Sequence, residues 1–232
     1  MPLFTIGLNH RTAPIEVRER VAFPTDAQRA ALEALKTETS ADEITLISTC
    51  NRTEIYVRAA DAGAAERAGA WLAAHPGVNL RPHLYQLTDA DVTRHVFRVA
   101  SGLDSMILGE PQILGQVKLA VKIAAEAGML GGPLDRLFQD TFKVAKQVRT
   151  DTAIGATSVS MAAAALKLAQ QLFGDLSDTR LLLIGAGEID RDERELPKNV
   201  ENQPVERGKN ADERGLHEQD EAVIAAFVPK FF

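Results

Sequence analysis

Between Leu3 and Leu87 the chain alternates short β-prone runs with helical ones, and the order of those runs leaves few ways to bury them. Leu3–Leu8 is apolar and β-prone, and Glu43–Ser48 and Glu54–Arg58 are strand-like runs on either side of a turn. A helix is expected between the first and second runs. Thr25 and Asp26 are its candidate caps after Pro24, and Ala27, Ala30, Ala31, Leu32, Ala34 and Leu35 form a small apolar stripe. Gly63–Ala73 reads as a second helix and Leu84–Leu87 as a returning strand. The resulting order, β-α-β-β-α-β, is the split βαβ arrangement of a ferredoxin-like layer, with helices on an antiparallel sheet, and predicts the α+β class.

Past Asp89 the pattern becomes mostly helical, over about 90–101, 112–128, 133–151 and 156–173, with glycines such as Gly102, Gly109, Gly128 and Gly155 as breaks. In the last of these helices Val159, Ala162, Ala163, Leu166, Ala169 and Phe173 recur at helical spacing, as expected of a long connecting helix. Thr179–Gly187 then reads as a buried parallel strand entering a Gly-rich turn, the opening of a Rossmann-type domain. Asp190 to Glu195 are six consecutive charged residues, and no period of 2 or 3.6 is sustained before Glu221. Ala222–Val228 and Phe231–Phe232 are apolar, but at a terminus they are expected to be a disordered end rather than an element. The expected division is 1–153, a connecting helix over 154–173, the start of a nucleotide domain over 174–188, and a disordered tail over 189–232.

Composition narrows the classes. With 45% apolar and 25% charged residues a sizeable core is expected. No run of eighteen apolar residues occurs, and Met1–Thr5 lacks the features of a signal peptide, so a cytoplasmic protein is expected. A single cysteine excludes an internal disulfide framework and a Cys-rich zinc site. The five histidines, His10, His75, His83, His95 and His217, show no ligand spacing, so no metal is expected. The net charge of −6 is concentrated late: residues 188–232 hold 12 acidic and 7 basic groups, against 20 and 19 in residues 1–187. The near-neutral body therefore says little for or against a nucleic-acid partner.

Two stretches are dense in chemistry. Cys50 follows an apolar strand inside Thr49-Cys50-Asn51-Arg52-Thr53-Glu54, so it falls in a tight polar turn, where a nucleophile is accessible. Arg52 adds positive charge that would favour the thiolate, the reactive form; the alternative is a buried inert thiol. The second stretch runs from Arg94 to Gln116. Glu110-Pro111-Gln112 opens a helix with acceptors near its N-terminus, and Gln116 lies one turn beyond Gln112, which makes a pocket wall. The plainer reading makes Glu110 and Gln112 capping groups and His95 a solvated helix residue.

Gly7–Pro14 (GLNHRTAP), Ser48–Glu54 (STCNRTE) and Ser101–Lys118 (SGLDSMILGEPQILGQVK) together resemble glutamyl-tRNA reductase, and Thr157–Ser160 and Leu183–Glu188 extend the resemblance over roughly residues 1–188. The resemblance implies that residues 1–153 are a catalytic domain in which Cys50 attacks the ester of glutamyl-tRNA. The thioester so formed is reduced by NADPH to glutamate-1-semialdehyde, a precursor of tetrapyrroles. It also implies that Thr49, Asn51 and Arg52 line the substrate beside the nucleophile, with Arg52 suited to a glutamyl carboxylate through a bidentate pair. Ser105, Glu110, Pro111, Gln112 and Gln116 would complete the glutamyl pocket, and His95 would be an accessory acid/base or positioning group. Lys118 and Lys122 share one helix face and Lys143, Lys146 and Arg149 another, as candidate contacts for tRNA phosphates. Gly185, Ala186, Gly187, Glu188, Ile189 and Asp190 resemble the turn that binds NADPH. The family implies a homodimer, and glutamate-1-semialdehyde aminomutase as a possible partner, with no membrane.

The charged run from Asp190 departs from that pattern, since the first crossover helix needs an apolar face. Impaired NADPH binding is therefore expected, with the tail read as a shifted frame or alternative terminus on a truncated protein that lacks the dimerising domain. Thioester formation without reduction is one expected activity, and an inactive tRNA-binding or interaction fragment is the other.

Overall fold

The computed structural model describes residues 1–61, 63–74, 79–154, 179–184 and 224–229, which belong to two compact units, 1–158 and 159–232. The first unit contains β1 (Leu3–Asn9), α1 (Ile15–Arg20), α2 (Thr25–Thr39), β2 (Glu43–Thr49), β3 (Arg52–Arg58), α3 (Gly63–Ala73), β4 (Tyr85–Thr88), α4 (Ala90–Ala100), α5 (Gln112–Glu126) and α6 (Gly132–Asp151). A single 3-10 turn, Arg81–His83, precedes β4. The four strands form one sheet in the order β2-β3-β1-β4, antiparallel between all neighbours.

Alternation along the strands divides the side chains between the two faces. Phe4, Ile6, Leu8, Ile44, Leu46, Ile55 and Val57 are buried in one cluster with Leu32 and Leu35 of α2 and Ala64, Ala68 and Leu72 of α3. On the other face Ile47 and Tyr56 meet Val92, Val96 and Val99 of α4, Ile113, Val117 and Val121 of α5, and Leu134 and Phe138 of α6. Helices therefore cover both faces. Burying each such side chain is worth about 1.5–3 kcal/mol, so the sheet's position is fixed from both sides.

Most expected boundaries hold to within two residues. The caps of α2 do not: Pro24, in extended conformation, occupies the N-cap with no side-chain cap bond, and Thr25 already lies in the first turn. Asp26, in that turn, still opposes the positive end of the helix dipole. The short α1 has no counterpart in the sequence pattern, because six residues carry too little periodicity to register.

In the second unit β5 (Thr179–Ile184) forms as a strand, but it pairs antiparallel with β6 (Ile224–Pro229), in a segment expected to hold no element. A β-prone partner close to the chain end can be recruited antiparallel without the crossover helix that a parallel neighbour requires. The expected connecting helix and the residues from Gly185 to Asp190 lie outside the described residues.

Candidate functional site

Thr49 pairs with Arg52, so Cys50 and Asn51 are the two residues of the β2–β3 hairpin turn. Two-residue hairpin turns usually place residues at positive φ to match the strand twist. Here neither Cys50 nor Asn51 does so, and the turn is held by its surroundings. Asn51 N donates to Thr49 Oγ1 at 3.2 Å, and its carbonyl accepts from His10 N at 2.9 Å. Arg18 Nη1 donates to the Cys50 carbonyl at 2.6 Å and to Asn51 Oδ1 at 3.0 Å. Arg18 and Asn51 are buried, whereas Cys50 is exposed. Thr49 and Asn51, expected to line the substrate, thus use these side-chain oxygens to shape the turn.

Beneath the turn, on the sheet face toward α4, lies a buried polar network. Arg52, Glu54 and Tyr56 alternate onto this face of β3, and Tyr85 joins them from β4. Glu54, 0% exposed, accepts at Oε1 from Arg52 Nη1 at 2.6 Å, Tyr85 OH at 2.5 Å and His95 Nε2 at 3.1 Å, and at Oε2 from Tyr56 OH at 2.7 Å. Burial pushes its pKa up, but the charge of Arg52 and the bonds from His95 and Tyr85 outweigh that and hold it well below the usual carboxylate range. Burial and the Glu54 charge push both tyrosine hydroxyls up, so they stay protonated donors. An ionised Glu54 only accepts, so the His95 bond to it is donated from Nε2, and Nδ1 is the ring nitrogen not used in it. Gly7 lets β1 approach the backbone of β3: it faces Glu54 across β1–β3, and a Cβ there would meet the Thr53 carbonyl and lie 2.7 Å from the Glu54 Cα.

Arg52 departs from its expected role. It is 1% exposed, Nη1 is engaged by Glu54, and Nη2 donates to the Asp104 carbonyl at 2.7 Å, while Nε alone has no partner among the described residues. A bidentate grip on a substrate carboxylate would require that pairing to break. The charge of Arg52 is likewise shared with the Glu54 carboxylate beside it.

The loop from Ser101 to Pro111 closes over this network. Gly102 and Gly109 adopt φ of 76° and 81°, and Gly109 N donates to the Gly102 carbonyl at 2.9 Å. Asp104 in this loop pairs with Arg98 at 2.8 Å and Arg11 at 3.2 Å. Burial raises its pKa, but the bond and charge of Arg98 and the charge of Arg11 bring it down overall. The three sequence motifs therefore meet at the Cys50 turn. Of the expected pocket residues, Ser105 has a buried Oγ with no partner among the described residues, Glu110 and Gln116 are half-buried, and Pro111 and Gln112 are exposed at the start of α5. Pro111 is the N-cap of α5, with no side-chain cap bond.

Lys118 lies with Lys143, Lys146 and Arg149 along a groove of about 550 Å³ between α5 and α6, and Lys118 Nζ sits 5.7 Å from the Phe142 ring centroid. Lys122 does not join them and pairs instead with Glu126. Arg149 Nη1 donates to the Gly109 carbonyl at 3.3 Å and the Glu110 carbonyl at 3.4 Å, which fastens the groove to the pocket loop.

Sequence reasoning passes over Arg18, Glu54, Tyr85 and Asp104. The alternation Arg52, Glu54, Tyr56 is a usable sign that charged residues share one sheet face. Nothing local marks Arg18, which reaches the turn across 32 residues of sequence.

The site thus consists of an accessible thiol on a hairpin turn, above a buried acid–histidine network, an arrangement of the kind a thiol nucleophile requires. Residues 6–152 match the model of the glutamyl-tRNAGlu reductase N-terminal domain, and the chain belongs to that family. It is 53% identical over 191 residues to a glutamyl-tRNA reductase of Alkalilimnicola ehrlichii, covering 81% of this chain and 43% of that protein. To the glutamyl-tRNA reductase of Halorhodospira halophila it is 50% identical over 219 residues, covering 90% of this chain and 49% of that protein. The glutamyl-tRNA reductase structure from Methanopyrus kandleri matches 80% of this chain and 44% of its own, with TM-score 0.61 and 33% identity. The chain thus spans about half the length of the curated relatives it matches.

Proposed function

We propose that this chain performs the acyl-transfer half of glutamyl-tRNA reduction, with Cys50 as the nucleophile. The observation that carries this reading is an exposed thiol on an externally held turn, directly beside the Arg52–Glu54–His95 network. The thiolate attacks the ester carbonyl of glutamyl-tRNA, the tRNA hydroxyl leaves, and the glutamyl group remains on sulfur as a thioester. His95 Nδ1 is the remaining ring nitrogen for proton transfer, with Glu54 fixing the ring through Nε2. Ser105, Glu110, Gln112 and Gln116 supply the substrate pocket, and Arg52 contributes through Nε. The strand order β2-β3-β1-β4 supports reading the sheet as a ferredoxin-like layer that presents this site at its hairpin end.

The described residues do not support NADPH binding, and the turn over 185–190 expected to bind it lies outside them. A nucleotide crevice needs parallel neighbours beside its first strand, whereas β5 is paired antiparallel with β6. No reduction step is assigned to this chain, and water would release the glutamyl group from the thioester.

The groove supports phosphate contact with the tRNA, because Lys118, Lys143, Lys146 and Arg149 all line it, Lys143 with Asp140 as a partner, and one end is tied to the pocket loop. Binding of tRNA should weaken steeply between about 50 and 200 mM salt; a flat salt dependence would count against the groove.

Single-turnover incubation with glutamyl-labelled tRNA, quenched in acid, tests the acyl transfer. Label should appear on the wild-type chain and be absent from Cys50→Ser. No label on a folded wild-type chain would sink the reading in favour of a non-catalytic interaction module.

A further inference from the structure

The Cys50 turn is held by a buried cation, Arg18, that pairs with no carboxylate among the described residues. Three arginines approach this corner. Arg52 is paired with Glu54, and Arg11 with Asp104, which Arg98 shares. Arg18, 8% exposed on α1, donates only to uncharged oxygens: Nε to the Ala13 carbonyl at 3.3 Å, and Nη1 to the Cys50 carbonyl and Asn51 Oδ1. Among the described residues it makes no ion pair. Burying a guanidinium without a counter-charge is costly unless an anion is present for part of the working cycle. The turn it grips bears the chain's one thiol.

We propose that Arg18 is the positioning residue of the Cys50 nucleophile, holding the turn in its non-left-handed conformation and supplying the positive charge that the Cys50 thiolate balances. The first sequence motif thereby acquires a role, because β1, its turn and α1 form a clamp, with His10 N on the Asn51 carbonyl and Arg18 on both turn residues. His10 adds no competing charge. Burial, followed by the charges of Arg52, Arg11 and Arg18, lowers its pKa and outweighs Asp104, so it stays neutral. Arg18 donates through its guanidinium fork to three oxygens on two segments, which a lysine ammonium on a flexible stem reproduces in charge but not in geometry.

The assignment rests on Cys50 as nucleophile, but its first test does not. Because Cys50 is the only cysteine, the pH profile of iodoacetamide alkylation of the full chain reports that thiol alone. Arg18→Gln should move the midpoint up by about one unit, which is about tenfold slower alkylation below it. Arg18→Lys should keep the midpoint near wild type while slowing acylation by glutamyl-tRNA. A Gln variant with a native circular dichroism spectrum and the wild-type alkylation profile overturns the proposal. Should the Gln variant not fold, a Lys variant matching wild type in both midpoint and acylation rate overturns it. Absence of acylation in wild type counts against Cys50 as nucleophile, and the alkylation profiles still judge Arg18.

Discussion

The two faces of the sheet are built from the same strands and serve opposite ends. Toward α2 and α3, β1, β2 and β3 present aliphatic and aromatic side chains with no charge among them. Toward α4, alternate positions of the same strands carry Asn9, Arg52, Glu54 and Tyr56, with Tyr85 added from β4; Glu54 gathers the Arg52, Tyr56 and Tyr85 side chains, while Thr5 Oγ1, Thr45 Oγ1 and Arg52 Nε are buried with no partner among the described residues. Near the hairpin, then, one face holds the chain together and the other holds the surroundings of the Cys50 turn. A one-residue shift of β3 would exchange the two sets, which makes its register, fixed by Thr49–Arg52 and Leu3–Arg58, a functional quantity.

The sharpest way to break this comparison is Glu54→Ala. It strands a buried Arg52 and removes the acceptor of three other donors, so unfolding stability should fall by about 3–5 kcal/mol. The urea midpoint measures that loss, and label transfer to Cys50 should disappear with it, even at temperatures where the variant is folded. Leu46→Ala on the opposite face should cost a similar or slightly smaller amount, about 2–5 kcal/mol, from lost burial and the cavity left behind. Its folded fraction should nevertheless acylate at the wild-type rate. If both variants lose acylation in proportion to stability alone, the division of labour between the faces is wrong.

Acid separates the faces without a loss of volume. Glu54 and Asp104 have depressed pKa values in the folded chain. Their contribution is fully present above the unfolded carboxylate values of about 4, and is lost as pH falls through the folded ones. The stability of wild type should therefore decline below about pH 4, measured as a falling urea midpoint. Leu46→Ala should run parallel to it, while Glu54→Gln should show a shallower decline. Equal slopes for wild type and Glu54→Gln would mean that Glu54 is not the group being titrated.

This division also explains what can be read from the sequence. The order of strands and helices is legible because each face of each element is largely apolar at its own period, and Cys50 is legible because a polar turn interrupts two such runs. The partner of β5 is not, since strand pairing over 40 residues is a tertiary choice that local composition does not encode. The pairing of Arg52 is hidden for a related reason. Its charge is visible in sequence, but its neutralisation depends on Glu54, which strand alternation places on the same face, and on the Asp104 carbonyl, which the distant loop delivers. Arg18 is hidden in the same way, since its partners become visible only once α1 docks on the hairpin.

The smallest expected change in stability is the one with opposite sign. Ser105 Oγ is buried without a hydrogen-bond partner among the described residues, and an unmatched buried hydroxyl costs stability that a methyl group does not. Ser105→Ala should leave the thermal midpoint unchanged, or raise stability by up to about 1 kcal/mol. If this hydroxyl is kept for the glutamyl group, the same variant should acylate Cys50 more slowly at low glutamyl-tRNA concentration and recover at saturation. A variant that is both more stable and equally fast at every concentration would remove Ser105 from the pocket and assign its burial to loop packing alone. The comparison would then narrow to the network around Glu54, since a site residue is expected to give up some stability for its function.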